Sequence, residues 1–361
     1  MSKFNAEKVA LVIYNKNNFG GAERRLIRIY NEMANNRKCD LIVRGTNKEK
    51  FLQVTNKANC NINNFSKVKF FDNRFKCLMY LLFKGQYTNI HYFDVSNFSL
   101  ALAIFCKILG INTLLTIAYQ NYALGLFSKT KKFFLSLHLN INKKIDVLFP
   151  QGLDYFPTIC SNKNISVTPG TFTLLDKFFP QKKRKIIALI ASRLEHDKNA
   201  NLLLEASIIC HKQLKELGYE ILICGEGFEE NDLRNKIIQN SLQDLVKMPG
   251  YIKSSELLPY VELACSLDLI ENYPAQCVAE AVACGCSLIC TDVGCSRKCG
   301  SEDFTYYIKN DPDELANTIL SYVRLPENNK NVMSKQARLF AEKYYNILSS
   351  VRYFESLIFK K

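Results

Sequence analysis

The chain has 361 residues, of which 48% are hydrophobic and 23% are charged. This length is too great for one ordinary core and fits two soluble globular domains of roughly 150–200 residues each. A formal net charge of +14 predicts a polyanionic partner. Because no RNA- or DNA-binding module is recognisable, we favour an anionic membrane or a phosphorylated substrate over nucleic acid.

The first half of the chain alternates strand and helix patterns. Residues 9–14 form an apolar β-type run, and residues 22–34 carry apolar side chains at helical spacing. Further strands are predicted over 40–43, 90–93 and 113–117. Strands separated by helices imply βαβ units and a parallel sheet.

Residues 98–118 are the strongest candidate for a membrane span. Polar residues and a glycine interrupt them, and their apolar runs are shorter than the roughly 20 residues that a span needs. We therefore predict a buried helix over 98–109, followed by the strand over 113–117. Residues 8–14 are too short for the apolar region of a signal peptide, so we expect a cytoplasmic protein.

The pattern restarts after Pro180. Strands are predicted over 186–191, 220–224, 246–248 and 287–290, with helices over 200–213 and 229–239. Two βαβ series predict an α/β protein with two facing Rossmann-like, doubly wound domains and a site in the cleft between them. A last amphipathic helix is predicted over 331–359.

The fourteen cysteines raise the question of disulfides or zinc. Most lie among apolar neighbours, where a reduced thiol behaves as a small hydrophobe. The five cysteines between positions 284 and 299 lack C-x-x-C spacing and a nearby histidine. We therefore expect reduced thiols that pack in the cores.

The segment from Glu271 to Gly294 predicts a loop, a short helix, a buried strand and a second loop. The amino end of the helix would attract an anion, and the carboxylates of Glu271 and Glu280 can accept hydrogen bonds from hydroxyls. Arg193 and Lys198 follow a predicted strand, and their charges would neutralise a diphosphate. These features suit a sugar nucleotide, although solvated side chains on an exposed loop are the commoner fate of such residues.

Six short motifs occur in a fixed order along the chain. Each is weak alone because short glycine motifs recur by chance. Together they resemble the family 4 nucleotide-sugar glycosyltransferases, which are retaining enzymes of the GT-B fold, except that Ser192 replaces a usual glycine. The motifs are Gly20-Gly21-Ala22-Glu23, Ser192-Arg193-Leu194 with Lys198, Gly225-Glu226-Gly227, Gly250-Tyr251-Ile252, Glu280 to Gly285 (E-A-V-A-C-G) and Thr291-Asp292-Val293-Gly294.

The resemblance implies a metal-independent, retaining hexosyltransferase without a cofactor. The donor would be a UDP-sugar, with a GDP-sugar as the other candidate. The acceptor would be a hydroxyl of a lipid-linked glycan or an envelope polysaccharide such as lipopolysaccharide or capsule. Residues 1–172, with a C-terminal helix of about 345–361 packing back on them, would bind the acceptor, and residues 173–344 would bind the donor. The alternatives are another GT-B activity, such as a nucleotide-sugar epimerase or a phosphorylase, and a non-catalytic sugar- or nucleic-acid-binding protein.

The resemblance also assigns a catalytic set. Arg193 and Lys198 would hold the diphosphate and stabilise the departing nucleoside diphosphate, and Glu280 would accept hydrogen bonds from the ribose. The family's first glutamate falls on Asn272, and Glu271 lies one position earlier. Either the loop carries one extra residue and Glu271 keeps the role, or Asn272 has taken it over. Further donor contacts are expected from Gly20, Gly21, Gly225, Gly227, Tyr251, Ile252, Pro274, Ala275, Gln276 and Cys277.

Several of these residues have ordinary structural explanations as well. The glycine pairs would also suit tight turns, Tyr251 and Ile252 would suit a strand end, and Glu280 would suit a helix start.

The acceptor side is less defined in the sequence. The family usually has a histidine after the 113–117 strand, where this chain has Tyr119 instead. His91 matches an I-H-x-x-D pattern of the family and would contact the acceptor or the sugar. The alternative is a core histidine with satisfied hydrogen bonds.

A basic, apolar stretch surrounds residues 133–137. This composition is typical of an interfacial helix, and each lysine near an anionic leaflet contributes about 1 kcal/mol. We therefore expect peripheral attachment to the inner face of the plasma membrane, while a core helix with solvated lysine edges is the alternative. The lysines are Lys129, Lys131, Lys132, Lys143 and Lys144.

Overall fold

The computed structural model divides into two compact units, each with its own parallel sheet. The first unit contains Met1–Pro169 and Leu348–Lys361, and the second contains Gly170–Ile347. The boundary falls after Pro169, where the sequence placed it after residue 172. The structure describes residues 7–14, 21–36, 38–57, 62–93, 95–117, 129–148, 165–168, 170–273 and 275–359.

The first unit is built on a seven-stranded parallel sheet with strand order β3-β2-β1-β4-β5-β6-β7. Its strands are β1 Lys8–Tyr14, β2 Lys38–Arg44, β3 Val68–Phe71, β4 Asn89–Tyr92, β5 Asn112–Ile117, β6 Lys144–Val147 and β7 Ile165–Val167. Its helices are α1 Gly21–Asn36, α2 Lys48–Lys57, α3 Arg74–Met79 (continued by a π-helical turn, Tyr80–Lys84), α4 Asn97–Ile108 and α5 Lys129–Ile141.

The two faces of this sheet differ in chemistry. Ile90, Leu115 and Ile145 point to one face, where α3, α4 and α5 bury their inner sides in one apolar core. The alternate residues of the same strands point to the other face, because successive side chains of a strand alternate. Those residues include His91 and Asp146, and the helix α12, Ile347–Phe359, packs over them.

The second unit is built on a six-stranded parallel sheet with strand order β10-β9-β8-β11-β12-β13. Its strands are β8 Arg184–Arg193, β9 Glu220–Glu226, β10 Val246–Gly250, β11 Val261–Ser266, β12 Ser287–Thr291 and β13 Thr305–Ile308. Its helices are α6 Ala200–Glu216, α7 Glu230–Gln239, α8 Ser254–Leu257, α9 Gln276–Ala283, α10 Pro312–Val323 and α11 Glu327–Tyr344.

Helices cover both faces of the second sheet. One core contains residues of α6, α7 and α10, and the other contains residues of α9 and α11. In place of the single helix predicted over 331–359, α11 ends at Tyr344 and α12 begins at Ile347. Tyr345 at the break is 4% exposed and donates a hydrogen bond to the carbonyl of Cys299 at 2.6 Å. The helical stretch predicted over 331–359 is therefore two helices, and α12 corresponds to the C-terminal helix expected over about 345–361.

Helices long and apolar enough to cross a membrane are absent from the described part of the chain. The segment that was weighed as a span divides into α4 and β5. All twelve described cysteines are free thiols, and ten of them are buried. The interpretation of the cysteines as core residues is confirmed for the ten buried positions, whereas Cys277 and Cys295 are half-buried.

Candidate functional site

The carboxyl edge of the second sheet carries most of the predicted donor-site residues. Its strands are all parallel, so Arg193 at the end of β8, Gly225 near the end of β9 and Gly250 at the end of β10 lie along the same edge. Ser266 ends β11 and Thr291 ends β12 on that edge too. In open α/β sheets this edge is where ligands bind, next to the point where the strand order reverses.

The two predicted diphosphate-binding cations differ in environment. Arg193 is the last residue of β8, and its guanidinium is largely exposed and donates to Glu195 Oε1 at 3.0 Å. Lys198 ends a short 3₁₀ turn and is mostly buried, with Nζ 2.7 Å from Asp268 Oδ1 and 3.3 Å from Asp197 Oδ2. Burial lowers the pKa of Lys198, but the charge of Asp268, the hydrogen bond to Asp268 and the charge of Asp197 together more than offset this, and the net pKa shift is upward. Lys198 is therefore a fixed cation held by two carboxylates.

Asp268 organises this part of the edge, and sequence reasoning missed it. Its carboxylate also accepts from Ser266 Oγ at 2.8 Å, and its backbone carbonyl accepts from Thr291 Oγ1 at 2.6 Å. Through its carboxylate and its carbonyl, Asp268 thus links the loop after β8 to the ends of β11 and β12. An acidic residue two positions after a buried strand was the available signal, because the carboxyl end of such a strand faces the ligand edge.

The amino end of α9 lies beside Lys198. Ala275 precedes the helix, and no side chain caps its first turn. Lys198 and Asp268 both act electrostatically on Cys277, the second residue of the helix, which places them near this terminus. Burial, together with Asp268, raises the pKa of Cys277 to about 12, so this thiol is protonated and is not a nucleophile. Helix amides without a side-chain cap and a lysine ammonium are both groups that bind anions in proteins.

Gln276, another predicted donor contact, has its side chain engaged within the second unit. Its Oε1 accepts from Thr171 Oγ1 at 2.8 Å, and its Nε2 donates to Glu280 Oε1 at 3.1 Å. A donor contact of Gln276 would therefore come from its backbone amide, not from its side chain.

Glu280 lies in the middle of α9 rather than at its start. Its Oε2 accepts from Ser254 Oγ at 2.6 Å, which ties α9 to α8. Tyr251, three residues before Ser254, has its side chain exposed, with 60% of its surface accessible, whereas Ile252 packs against the core that contains α9. Tyr251 is close in sequence to Ser254, the hydrogen-bond partner of Glu280. Its exposed ring is therefore suited to stack on a base whose ribose reaches Glu280.

Glu271 and Asn272 occupy different positions in their loop. Glu271 is 6% exposed, and its Oε1 accepts from the backbone amide of Cys295 at 2.8 Å. This bond holds the loop of the Thr291-Asp292-Val293-Gly294 motif. Asn272 is half-buried and lines a cavity of about 20 Å³ together with Asp268, Thr291 and Val293. Such a volume holds about one water and no sugar, so a donor would lie outside it, over the edge of the sheet.

The glycines of the Gly225-Glu226-Gly227 motif have structural roles. Gly225 adopts φ +136°, a backbone conformation that residues with a Cβ rarely adopt. A Cβ on Gly227 would lie 2.3 Å from the carbonyl oxygen of Leu194. The backbone of the second glycine therefore packs against the loop that carries Arg193 and Lys198. Gly227 therefore positions that loop, and this packing explains the glycine without a contact to the donor.

His91 is a fully buried residue of the first unit. Its Nε2 lies 2.8 Å from Thr116 Oγ1, which donates in turn to Asp146, so His91 donates through Nε2–H. Its ring stacks on Phe354 of α12 at 5.2 Å between centroids. Burial lowers the pKa of His91 to about 3, so the ring is neutral. These contacts match a core histidine, but only one of its two ring nitrogens is hydrogen-bonded, because Nδ1 is buried without a partner among the described residues.

The Asp146 carboxylate forms the centre of this buried network. It also accepts from Thr168 Oγ1 at 2.9 Å and from Tyr353 Oη at 2.6 Å. Burial raises the pKa of Asp146, an effect opposed by the Tyr353 hydrogen bond and by the charge of Arg25. The network ties α12 to three strands of the first sheet.

Three predicted site residues lie outside the described residues, namely Gly20, Tyr119 and Pro274. Gly21 is the first residue of α1. Of the five lysines in the predicted interfacial stretch, Lys143 donates to Asn112 Oδ1 at 2.8 Å, and Lys144 donates to the carbonyl of Leu357. Lys144 therefore supports α12 on the first sheet, and it is not a free surface charge.

Residues 171–340, nearly the whole second unit, match the family model described as "Glycosyl transferases group 1". This part of the chain belongs to that family. Over 116 residues the chain is 34% identical to the UDP-N-acetylglucosamine–peptide N-acetylglucosaminyltransferase GtfA subunit of Streptococcus gordonii, a match that covers 32% of this chain and 22% of that protein. It is also 26% identical over 211 residues to the tRNA-queuosine alpha-mannosyltransferase of Drosophila melanogaster, covering 56% and 50% of the two chains. The chain thus spans half or less of the length of these curated relatives.

Solved structures extend the similarity to the whole chain. Anabaena Alr3699/HepE in complex with UDP superposes with a TM-score of 0.75 at 14% identity, covering 97% of this chain and 98% of that one. TarM gives a TM-score of 0.75 at 13% identity and covers both chains fully. At such low identity the similarity establishes the fold. The chain has the two Rossmann-like domains of the GT-B fold, with the group 1 domain second.

Proposed function

We propose that this protein is a retaining glycosyltransferase that moves a sugar from a nucleoside diphosphate to an acceptor hydroxyl. The observation that carries the proposal is the anion site of the group 1 domain. There, the Lys198 ammonium and the uncapped amino end of α9 lie together at the carboxyl edge of a parallel sheet. Arg193 ends a strand on the same edge with its guanidinium exposed.

The chemistry of glycosyl transfer explains what this arrangement would do. When the bond between the anomeric carbon and the diphosphate breaks, negative charge grows on the departing phosphate oxygens. A fixed ammonium, a guanidinium and helix amides stabilise that charge more strongly in the transition state than in the ground state. The acceptor hydroxyl attacks the same face of the sugar, and its proton passes to the leaving diphosphate. No protein nucleophile is required, and the configuration at the anomeric carbon is retained.

The two acids that hold Lys198 have a role in this scheme. Without a ligand, Asp268 and Asp197 hold the ammonium in place by charge. A diphosphate would share Lys198 with Asp268 and would find the cation already oriented, which reduces the entropy lost on binding.

We propose a UDP-sugar as the donor. The relatives support this choice, because the HepE structures are complexes with UDP and with UDP-glucose, and the GtfA subunits are named for UDP-N-acetylglucosamine. Tyr251 would stack on the base, and Glu280, which Ser254 orients, would accept from the ribose. Which of Glu271 and Asn272 contacts the sugar would follow from a donor complex.

For the acceptor we propose a hydroxyl of a lipid-linked or envelope glycan, reached without a metal ion or a cofactor by a cytoplasmic protein attached to the membrane face. The basic composition supports an anionic or membrane-bound acceptor. A serine or threonine hydroxyl of a peptide is the second candidate, because the GtfA subunits are named for transfer to peptide.

Calorimetric titration of the purified protein with UDP, GDP and ADP tests the donor site. We expect UDP to bind best, and Arg193→Ala and Lys198→Ala each to weaken binding by about 1.5–3 kcal/mol, or roughly tenfold to a hundredfold. Arg324→Ala and Lys335→Ala are matched controls, because both residues are exposed cations of the same unit. Wild-type affinity in both site variants would refute the diphosphate assignment.

A second measurement tests the reaction itself. Release of UDP from UDP-glucose and UDP-N-acetylglucosamine would be followed with glycan and peptide acceptors, and the anomeric configuration of the product would be read by NMR. An α-linked product from an α-linked donor is the expected result, and inversion would overturn the proposed front-face mechanism.

A further inference from the structure

The outer sides of α3, α4 and α5 form an exposed apolar surface on the first unit. These helices lie over one face of the first sheet, and their inner sides share one core. Large apolar side chains nevertheless point outward from all three. They include Phe75 at 68% exposure, Phe83 on the π-helical turn at 57%, Ile108 at 72% and Phe133 at 63%. Soluble proteins rarely leave several aromatic and aliphatic side chains exposed on one face without a partner.

The charges on these helices are of one sign. The segments 74–84, 97–108 and 129–141 contain seven lysines and arginines and not one aspartate or glutamate. These seven residues match half of the chain's formal net charge of +14. Lys76, Lys84 and Lys107 are exposed beside the apolar side chains. We call this surface, the outer sides of α3 with its π-helical turn, α4 and α5, the basic apolar face.

The opposite side of the same unit lacks this pattern. Its helices α1, α2 and α12 carry glutamates at positions 23, 32, 49 and 355. Among the described residues of these three helices, Leu348 is the one large apolar side chain with high exposure, at 46%. The asymmetry is therefore a property of one face and does not follow from the basic composition of the chain as a whole.

We propose that the basic apolar face docks on an anionic lipid bilayer. Apolar side chains surrounded by cations are the composition of interfacial surfaces, whose apolar groups enter the boundary between headgroups and acyl chains. Docking on a bilayer does not require shape complementarity, which suits apolar residues that are spread over three helices. The complete absence of acids from these helices favours a surface that is itself negative.

This assignment deepens the proposed peripheral attachment, because it replaces the single α5 stretch by a face of three helices. It removes Lys143 and Lys144 from the contact, since both are engaged elsewhere in the first unit. It does not depend on the chemistry of the donor site, whose residues belong to the second unit.

Vesicle flotation of the full chain tests the proposal. The probes are vesicles of phosphatidylcholine alone and of an equimolar mixture with phosphatidylglycerol, each at low and high salt. We expect recovery with the anionic vesicles only, and less of it at high salt because exposed charges are screened. The triple variant Lys76→Gln, Lys84→Gln, Lys107→Gln should bind about a hundredfold more weakly, at about fivefold for each charge.

An apolar variant separates insertion from simple charge attraction. Ile108→Asp with Phe133→Asp should abolish recovery, because it removes two inserting groups and adds two anions. Val332→Asp with Leu339→Asp is the matched control, since both are exposed apolar residues of α11 at 57% and 56% exposure. Lys182→Gln, Lys309→Gln, Lys335→Gln is the charge control, and both controls should float as the wild type does.

Equal recovery from neutral and anionic vesicles, or loss of recovery in the control variants, would overturn the proposal. A concentration-dependent dimer that Ile108→Asp with Phe133→Asp converts to a monomer, without vesicle binding, would assign the face to a second copy instead. UDP titration of the same variants is the independent readout. Unchanged UDP affinity in a variant that no longer floats shows that it is folded and that docking alone was lost, whereas failure of UDP binding in all proteins would concern the donor proposal.

Discussion

The substitution Gly227→Ala tests how the group 1 domain positions its diphosphate-binding loop. The added Cβ would lie 2.3 Å from the carbonyl oxygen of Leu194 and 2.7 Å from its carbonyl carbon. Both are backbone atoms, so no side-chain rotation relieves the overlap. The same backbone is fixed by two hydrogen bonds, from Leu194 N to the Glu226 carbonyl at 2.8 Å and from Glu229 N to the Leu194 carbonyl at 3.2 Å. The loop must therefore move by roughly 1 Å to reach ordinary van der Waals contact.

Overpacking of this kind costs about 1–3 kcal/mol. For a unit of this size each kcal/mol lowers Tm by about 2–4 °C, so a loss of about 2–12 °C is expected. Leu194 directly follows Arg193, and Lys198 ends the same loop. A displaced loop would also misplace both cations, and we expect UDP affinity to fall at least tenfold, which corresponds to about 1.4 kcal/mol.

Differential scanning calorimetry and UDP titration measure the two effects on the same sample. Gly218→Ala is the control, because Gly218 has φ +73° and a Cβ there meets nothing within 4 Å. It should lose about 1–2 kcal/mol of stability from backbone strain and keep its UDP affinity. If Gly227→Ala binds UDP as Gly218→Ala does, the glycine does not position the loop and the reasoning fails.

Two further predictions concern buried ionisable groups. His91 has its pKa lowered to about 3, so the stability it contributes is fully present above its unfolded pKa and is lost as the pH falls towards 3. Between pH 7.5 and about pH 5, the free energy of unfolding of the wild type should fall by about 2 kcal/mol more than that of His91→Phe, because the unfolded pKa of the histidine is about 6.5. Urea unfolding of both proteins at pH 5 and pH 7.5 measures this difference, and the contributions of other titrating groups such as Asp146 cancel in it. An equal fall in stability of the two proteins would contradict the lowered pKa of His91. Lys330→Met should cost about 3–5 kcal/mol, because Lys330 Nζ lies 2.9 Å from the buried Glu262 and its loss leaves that charge without its cation. Lys330→Met with Glu262→Gln should recover most of the lost Tm, and no recovery would show that packing, not charge, sets the cost.

Local sequence patterns were sufficient for the architecture. Apolar runs predicted four strands of each sheet, including β4 and β8, because a buried parallel strand needs continuous apolar residues. They did not predict β11, the other central strand of the second sheet. The motifs that end at these strands predicted which residues share the ligand edge, since the carboxyl ends of parallel strands lie at one edge. The fold was therefore accessible from periodicity, and Arg193 was correctly expected at a strand end.

Contacts between distant residues were not accessible in this way. The pairing of Lys198 with Asp268 joins positions 70 residues apart, so no local sequence spacing predicts it. The end of α11 at Tyr344 depends on the burial of Tyr345, a tertiary contact that overrides helical periodicity. The place of Gly227 against Leu194 likewise requires the fold, because many turns contain glycine for its φ angle alone. For His91 the sequence left two readings open, and its burial beneath α12 was needed to separate them.

The position of α12 in the chain has a consequence for biosynthesis. Tyr353 and Phe354 cover Asp146 and His91 on one face of the first sheet, yet the ribosome makes them only after the whole second unit, residues 170–347. At 5–20 residues per second, that interval lasts roughly 10–40 s. During it the nascent first unit exposes the Asp146 network to water and lacks one helix of the layer that α12 shares with α1 and α2. The second unit, whose segment is continuous, can complete its fold before the first, so the order of folding would reverse the order of translation.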